Sequence, residues 1–346
     1  MFCAIIRFMN NIANENTQHI QFLGIGDMVT DAFIELKDAE VHCNINNSSC
    51  ELCVKFGQKV PYESVVEIRA VGNSANAVCS ASRLGLVSAI VTAVGDDRFG
   101  DEAIQTLQNE NIVTDFVYKD IRYPTNYHYV LRYGPERTIL IKHAPFFYTL
   151  PNENTTVDWV YFSSIGEHAL PFHHEIVEWL KKRPNTKLAF QPGTFQIKAG
   201  TDELKDIYQN TEIFFCNLQE SQTILKTKET NIKELLKDIH NLGPKIVVIT
   251  DGPNGLTASD GSNIYSLPMY PDPKPPIDRT GAGDATSSTI TAMIANGMSL
   301  KDALLYGPVN SMSVVQYIGA REGLLTREKI EEYLKSAPEN YKVTEI

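Results

Sequence analysis

The sequence predicts an α/β protein: a three-layer αβα arrangement around a mostly parallel central sheet, with a second, small β-sheet beside it. Two observations carry this prediction. From about residue 156 onward, short apolar runs alternate with amphipathic stretches, the pattern of repeated strand–helix units. Earlier, around 32–70 and 127–142, apolar and polar residues alternate singly, which is the period of strands with one wet face.

The elements follow in order. HIQFLGIGD (19–27) reads as a buried strand ending in a glycine turn. AFIEL, ELCVKF and SVVEIRA are alternating strands. NSANAVCSASRLG (73–85) is a helix of small residues closed by Gly85. LVSAIVTAVG (86–95) is a buried strand, and DRFGDEAIQTLQNENI (97–112) is an amphipathic helix. YHYVLRYGPERTILIK (127–142) is a hairpin about Gly134-Pro135. VDWVYFSSI, KLAFQPG, EIFFCN and KIVVIT are further strands, with HHEIVEWLKK and NIKELLKDIHNLG as helices between them. GDATSSTITAMIANG and LKDALLYGPVNSMSVVQYIG are helical, and the proline-rich LPMYPDPKPPID (267–278) is an extended approach to the first of these. The expected domain organisation is a ragged N-terminus (1–18), one α/β domain (19–335) with the small sheet drawn from about 32–70 and 120–145, and a C-terminal tail (336–346).

The composition narrows the function. Hydrophobic residues make up 43% of the 346, enough for a large core. With 31 basic against 42 acidic residues the formal net charge is −11, which argues against nucleic acid or an anionic membrane as partner. No apolar run reaches the roughly 18 residues of a membrane span. Six scattered cysteines fit a reducing cytoplasm better than a disulfide framework.

The chemistry concentrates in Thr280-Gly281-Ala282-Gly283-Asp284. Two glycines let the backbone turn tightly and approach a ligand. A helix begins here, and its first N–H groups lack intrahelical partners. Together with the helix dipole they make an anion site suited to a phosphoryl group. A carboxylate in the first turn, Asp284, can take a proton from an attacking hydroxyl. Taken alone, the segment reads better as a glycine-rich turn with Asp as helix cap.

The surrounding chain resembles the ribokinase-like (PfkB) carbohydrate kinases from about residue 20 to 330. IDRTGAGD (277–284) is similar to that family's D-T-x-G-A-G-D signature. AVGNSANAVCSASRLG (70–85) resembles its N-terminal signature: Gly72 and Asn76 match, while Val71 and Ser74 stand where glycines are usual. VTAVGDDRFG (91–100) is similar to its V-G-x-D-x-x-G segment, Asn217 to Glu220 to its N-x-x-E motif, and Thr250 to Gly255 to its T-x-G-x-x-G turn. Gly26 to Asp31 resembles its first substrate loop. The two alternating segments resemble its β-sheet lid, which would exclude water during transfer.

The resemblance implies an ATP-dependent kinase of a small sugar, ribokinase- or fructokinase-like, acting in the cytoplasm. A nucleoside kinase of the same family is the alternative, and a non-catalytic regulator or scaffold the second. Asp284 is implied as general base, with backbone N–H groups from Arg279 to Gly283, and hence Gly281, Ala282 and Gly283, as the anion hole. Asp31, Asn76, Gly72 and Asp27 are implied for the acceptor, with Asn73 and Ser74 nearby. Asn217, Glu220, Thr250, Gly252, Gly255 and Thr280 are implied for the nucleotide, Glu220 and Asn217 holding Mg²⁺ through water. A monovalent cation (K⁺) is implied near Asp278 and the loop around Gly319. An exposed lid sheet would also suit a homodimer.

Three weaker groupings stand apart. His42, Cys43, Cys50 and Cys53 have the composition of a zinc site, against ordinary lid residues, and adjacent strand residues face opposite ways. His168, His173 and His174 read as a solvated helix start rather than a metal site. Tyr127, His128 and Tyr129 present one face either to substrate or to sheet packing.

Overall fold

The computed structural model describes residues 18–44, 50–134 and 136–346. Of the ragged N-terminus expected for 1–18, residues 1–17 lie outside the described residues, and Gln18 already begins the first strand. The central sheet has ten strands in the order Thr344–Glu345, Ile264–Leu267, Leu256–Ser259, Ile246–Thr250, Ile213–Asn217, Lys187–Phe190, Thr155–Phe162, Gln18–Ile25, Ser88–Gly95, Val117–Asp120. The pairs from Ile246–Thr250 through to Val117–Asp120 are parallel; the three strands at the other edge run antiparallel.

Both faces of this sheet are covered, and the strand sequences explain why. Successive side chains point to opposite faces. In Ile213–Asn217, Ile213 and Phe215 enter one core while Phe214 and Cys216 enter the other. The first core is completed by helices Asn73–Arg83, Ala282–Ala295 and Tyr306–Val314, the second by Leu170–Lys181 and Ile232–His240. The final helical region is less continuous than its sequence suggests. It breaks into Leu300–Leu304 and Tyr306–Val314, and the helix gives way to turns after Val314.

The two alternating segments pair with each other in a second sheet, in the order Tyr62–Val71, Val29–Leu36, Tyr127–Tyr133, Glu136–Leu140. Val29–Leu36 runs straight out of the first central strand through Gly26, Asp27 and Met28. The last two strands form the expected hairpin. Asp97 ties this sheet to the main body: it caps helix Arg98–Asn109 through the Gly100 N–H at 2.9 Å and accepts the Thr125 N–H (2.8 Å) and hydroxyl (2.7 Å). Asp97→Ala is expected to lower stability by about 1–3 kcal/mol, read as a lower urea midpoint with an unchanged slope.

The cysteines depart from expectation. Cys43 and Cys50 sit directly opposite each other in the hairpin Glu40–Cys43/Cys50–Cys53 and are joined as a disulfide. That pairing removes both from the zinc grouping. Among the described residues no cluster of three or more His, Cys, Asp or Glu is arranged to hold a metal ion, the three histidines near residue 170 included. His173 is buried instead, with Nδ1 2.8 Å from the Ala169 carbonyl oxygen, and burial pulls its pKa down to about 4. No helix among the described residues is long and apolar enough to cross a membrane.

Candidate active site

In an open α/β sheet the ligand crevice lies beyond the carboxyl ends of the strands. Here Asp27 follows strand Gln18–Ile25, Ser164 follows Thr155–Phe162, Gln191 follows Lys187–Phe190, and Asn217 and Thr250 end their strands at matching register. Helix Ala282–Ala295 begins at the same edge. Its N-cap, Gly281, has φ +80°. A Cβ on Gly281 would lie 2.3 Å from that of Ala320, so this position excludes side chains twice over, by backbone conformation and by packing. Gly283 differs: a Cβ there would meet only the Gln191 amide nitrogen, at 3.8 Å. Protein packing therefore does not require this glycine, and the space before it is open.

Asp278 positions the turn. Its Oδ1 accepts the Thr280 N–H (2.9 Å) and hydroxyl (2.7 Å), and its Oδ2 accepts the Gly319 N–H (3.0 Å). The Thr280 N–H is thus taken, and the Ala282 N–H closes a long turn bond of 3.4 Å to Arg279. The N–H groups of Gly281 and Gly283 have no partner among the described residues. The anion hole that the sequence spreads over Arg279 to Gly283 is narrower in the structure.

Asp284 is held by three amides. Asn73 Nδ2 donates to Oδ1 at 3.0 Å, Gln191 Nε2 to Oδ1 at 3.2 Å, and Asn76 Nδ2 to Oδ2 at 2.9 Å. The Gln191 amide is oriented by its own carbonyl, which accepts from the Tyr161 and Ser287 hydroxyls. Burial raises the Asp284 pKa, while the Asn76, Gln191 and Asn73 donors pull it down; the balance lies above the ordinary carboxylate value. Oδ1 already has two donors and Oδ2 one, so Oδ2 keeps the freer lone pair.

A cavity of about 260 Å³ opens onto Asp284. Asp27, Asp31, Gly72 and Asn76, the residues expected at the acceptor, all line it; Thr280, expected at the nucleotide, lines it too, and the lid contributes Phe33, Ile139 and Ile141. Among its lining residues, Asp31 and Asn76 each have a buried Oδ1 that makes no hydrogen bond among the described residues, though His128 Nδ1 lies 3.5 Å from that of Asp31. Gly72 caps helix Asn73–Arg83 at φ +124°, where a Cβ would lie 2.5 Å from the Asp27 carbonyl oxygen. Asp27 is held by three donors: its carboxylate accepts from Tyr148, from the Gly166 N–H at 2.9 Å and from His143 Nδ1 at 2.6 Å. Asn73 lines the cavity as expected; Ser74 is buried behind it, donating to the Ile25 carbonyl at 2.6 Å. Of the grouping Tyr127, His128 and Tyr129, only His128 lines the cavity. Gln191, Tyr161, Ser287 and His143 are cavity or supporting residues that the sequence did not single out.

Apart from Thr280, the residues expected at the nucleotide lie outside this cavity, at and beyond the adjoining strand ends. Asn217 and Glu220 form a capping box, each side chain accepting the other's backbone N–H at 2.8 Å. Burial raises the Glu220 pKa, the Asn217 N–H opposes it, and the negative charge of Asp284 adds to the rise, so the two carboxylates share one electrostatic neighbourhood. Thr250 pairs with Leu256 across the turn that holds Gly252 and Gly255.

Comparison with known proteins adds three points. The sequence profile described as "pfkB family carbohydrate kinase" matches residues 38–327. An ATP-dependent 6-phosphofructokinase of Thermoanaerobacterium thermosaccharolyticum is 26% identical over 265 residues, covering 72% of this chain and 80% of its own. Among solved structures, Arabidopsis thaliana ribokinase complexed with ribose and ATP superposes with a TM-score of 0.75 at 18% identity, over 92% of this chain and 99% of its own. The nucleoside kinase of Methanocaldococcus jannaschii, an archaeal member of the ribokinase family, does so at 0.72 and 19%, over 92% and 99%.

Proposed function

The chain belongs to the pfkB family of carbohydrate kinases, and from that premise we propose that it transfers the γ-phosphoryl group of ATP to a hydroxyl of a small sugar, with Asp284 as general base. One observation carries the reading: Asp284 sits in the first turn of a helix whose Gly281 and Gly283 N–H groups are free to meet an anion, beside a cavity lined by Asp31 and Asn76, whose Oδ1 atoms make no hydrogen bond. A sugar hydroxyl donated to Asp31 or Asn76 would fix the neighbouring hydroxyl beside Asp284 Oδ2, which takes its proton. The N–H groups of Gly281 and Gly283 then meet charge as it develops on the phosphoryl oxygens.

Mg²⁺ bound with the nucleotide would supply further neutralisation of the phosphate charge. Glu220 and Asn217 fit it only through water, because their mutual caps leave one Glu220 oxygen free. A monovalent cation at Asp278 fits poorly. Both oxygens of that carboxylate already accept protein donors, and the Arg137 guanidinium lies 3.7 Å away. A cytoplasmic setting, where ATP is held, belongs to the same proposal, with the Cys43–Cys50 disulfide as the observation that pulls against it. The exposed side chains Tyr62, Val65, Val66 and Tyr129 on the lid would suit a second copy of the chain.

A nucleoside acceptor is the second reading, favoured by Phe33 and Phe195 on the cavity wall, where a base could stack. The test is release of ADP in the presence of Mg²⁺ against a panel of sugars and nucleosides. Turnover with a sugar is the expected result; turnover with nucleosides alone replaces the acceptor. Undiminished ATP binding with no transfer to any acceptor would point to a non-catalytic regulator.

A further expected result concerns Gln191, which holds Asp284 from behind. Its donation favours the ionised, proton-accepting form. Gln191→Leu removes one charge-assisted hydrogen bond and should lower kcat/KM by roughly tenfold or more. It should also move the acidic limb of the pH profile to higher pH. The sign follows because loss of a donor raises the Asp284 pKa, and the base works only above it. A limb that stays put would refute the contact's role.

A further inference from the structure

Asp284, Asn76 and Asp31 leave unexplained two histidines on the same cavity, His128 and His143. His143 follows the lid hairpin, and its Nδ1 lies 2.6 Å from Asp27 Oδ2. A carboxylate only accepts, so Nδ1–H is the donor and Nε2 is the nitrogen left for a ligand. Asp27 is in turn fixed by Tyr148 and the Gly166 N–H, which makes His143 a braced side chain. Phe195 packs edge-on against its ring, with centroids 5.4 Å apart.

His128 comes from the lid strand Tyr127–Tyr133. It is only 8% exposed, its Nδ1 lies 3.5 Å from Asp31 Oδ1, and its Nε2 is buried with no partner among the described residues. The two imidazoles meet edge to face at 5.2 Å between centroids. Each leaning on its own aspartate, they line one cavity together with Ile139 and Ile141.

The acceptors of the cavity residues describe their complement. Asp31 Oδ1, which has only the His128 ring beside it at 3.5 Å, and Asn76 Oδ1 make no hydrogen bond and can only accept, so a ligand that brings donors suits them. A hydroxyl does so, and can equally serve an imidazole nitrogen in either role. A phosphate dianion or a carboxylate brings no donor. Such an anion would also enter a cavity lined by three carboxylates, Asp27, Asp31 and Asp284, with no lysine or arginine among its described lining residues. Arg137 of the lid pairs with Asp278 and does not line it.

We propose that His128 and His143 are hydroxyl-binding, specificity-determining residues of the acceptor pocket, and that they and the three aspartates restrict it to an uncharged polyol, excluding sugar phosphates and sugar acids. This rests on the kinase reading, since it assigns the pocket to the acceptor. It separates this chain from the 6-phosphofructokinase it resembles in sequence.

The experiment uses the full chain with ribose, fructose, a ribonucleoside, fructose 6-phosphate and gluconate, each followed by ADP release with ATP and Mg²⁺ and by calorimetric binding without ATP. At least one uncharged member should bind and turn over; the two anions should do neither. His128→Ala and His143→Ala should raise KM for the preferred acceptor about 10–100-fold and more than they lower kcat. His128→Gln and His143→Gln, which keep an amide donor and acceptor, should recover part of the loss. Thermal melts of all four confirm that they fold. Binding or turnover of either anion at an affinity matching the uncharged members overturns the proposal, as does an unchanged KM in both alanine variants. If no member turns over, the kinase reading fails, and calorimetry still decides: binding confined to the uncharged polyols, weakened in the alanine variants, supports the assignment, and binding of none overturns it.

Discussion

Asp284→Asn is expected to lower kcat by roughly 10²–10⁴-fold, the range for loss of a positioned general base, while the affinity for ATP stays within about twofold. The substitution keeps shape and removes both the charge and the proton acceptor. Its local consequences can be followed atom by atom. The carbonyl of the introduced amide still receives Asn73 and Gln191, but its NH₂ group faces the Asn76 NH₂ that donates to Asp284 Oδ2 in the wild type. Asn76 resolves this by turning its amide over, which consumes the Oδ1 acceptor otherwise free for substrate. KM for the acceptor should therefore rise alongside the fall in kcat.

The same variant should melt at a higher temperature than the wild type at neutral pH. Burial raises the Asp284 pKa in the folded chain. A carboxyl so raised stabilises the fold most when protonated, and that contribution is lost as pH climbs through the unfolded and then the folded pKa. At neutral pH the native state carries the charge at a cost, and a neutral amide removes it. The Tm gap between the two proteins should close in acid, below both pKa values. Near-normal turnover would refute the base; a lower Tm at pH 7 would refute the electrostatic account of its surroundings.

How much of this was legible in the sequence depends on whether a residue's neighbours are local. The strand periods and the motif turn are local properties, so the parallel sheet, the second sheet and the helix at Ala282 could be read directly. Asp284 and Asn76 were readable because each sits in a short segment that resembles a family signature, IDRTGAGD and AVGNSANAVCSASRLG. Gln191 was not: it is the single residue beyond a buried strand, and only the meeting of that strand with a helix nearly a hundred residues later gives it a partner. His143 is separated from Asp27 by 116 positions, and nothing around Lys142 or Ala144 marks it. The antiparallel hairpin Leu256–Ser259/Ile264–Leu267 has a local turn signal, Asp260-Gly261, but its four-residue strands are too short to show a clear alternation. The cysteine pair failed for another reason. Cys43 and Cys50 oppose each other only once the strand register is known, and register is not written in a spacing of seven.

The two glycines of the motif should respond oppositely to substitution. Gly281→Val places a branched side chain at φ +80°, with its Cβ 2.3 Å from that of Ala320 and 2.6 Å from the Ala320 Cα. Positive φ and forced overpacking together should lower stability by roughly 2–6 kcal/mol, read as a lower denaturant midpoint, and activity should fall because less of the chain is folded. Gly283→Ala meets neither obstacle: its Cβ finds open space, and alanine suits a first helical turn better than glycine does. Its fold should be as stable as the wild type or slightly more so. Yet the added methyl stands where a phosphoryl group would approach the free N–H groups, so kcat should fall at least about tenfold. The contrast is the informative part. If Gly283→Ala turns over normally, the space before that helix is not where the phosphoryl group sits, and the glycine is there for a reason that neither packing nor chemistry supplies.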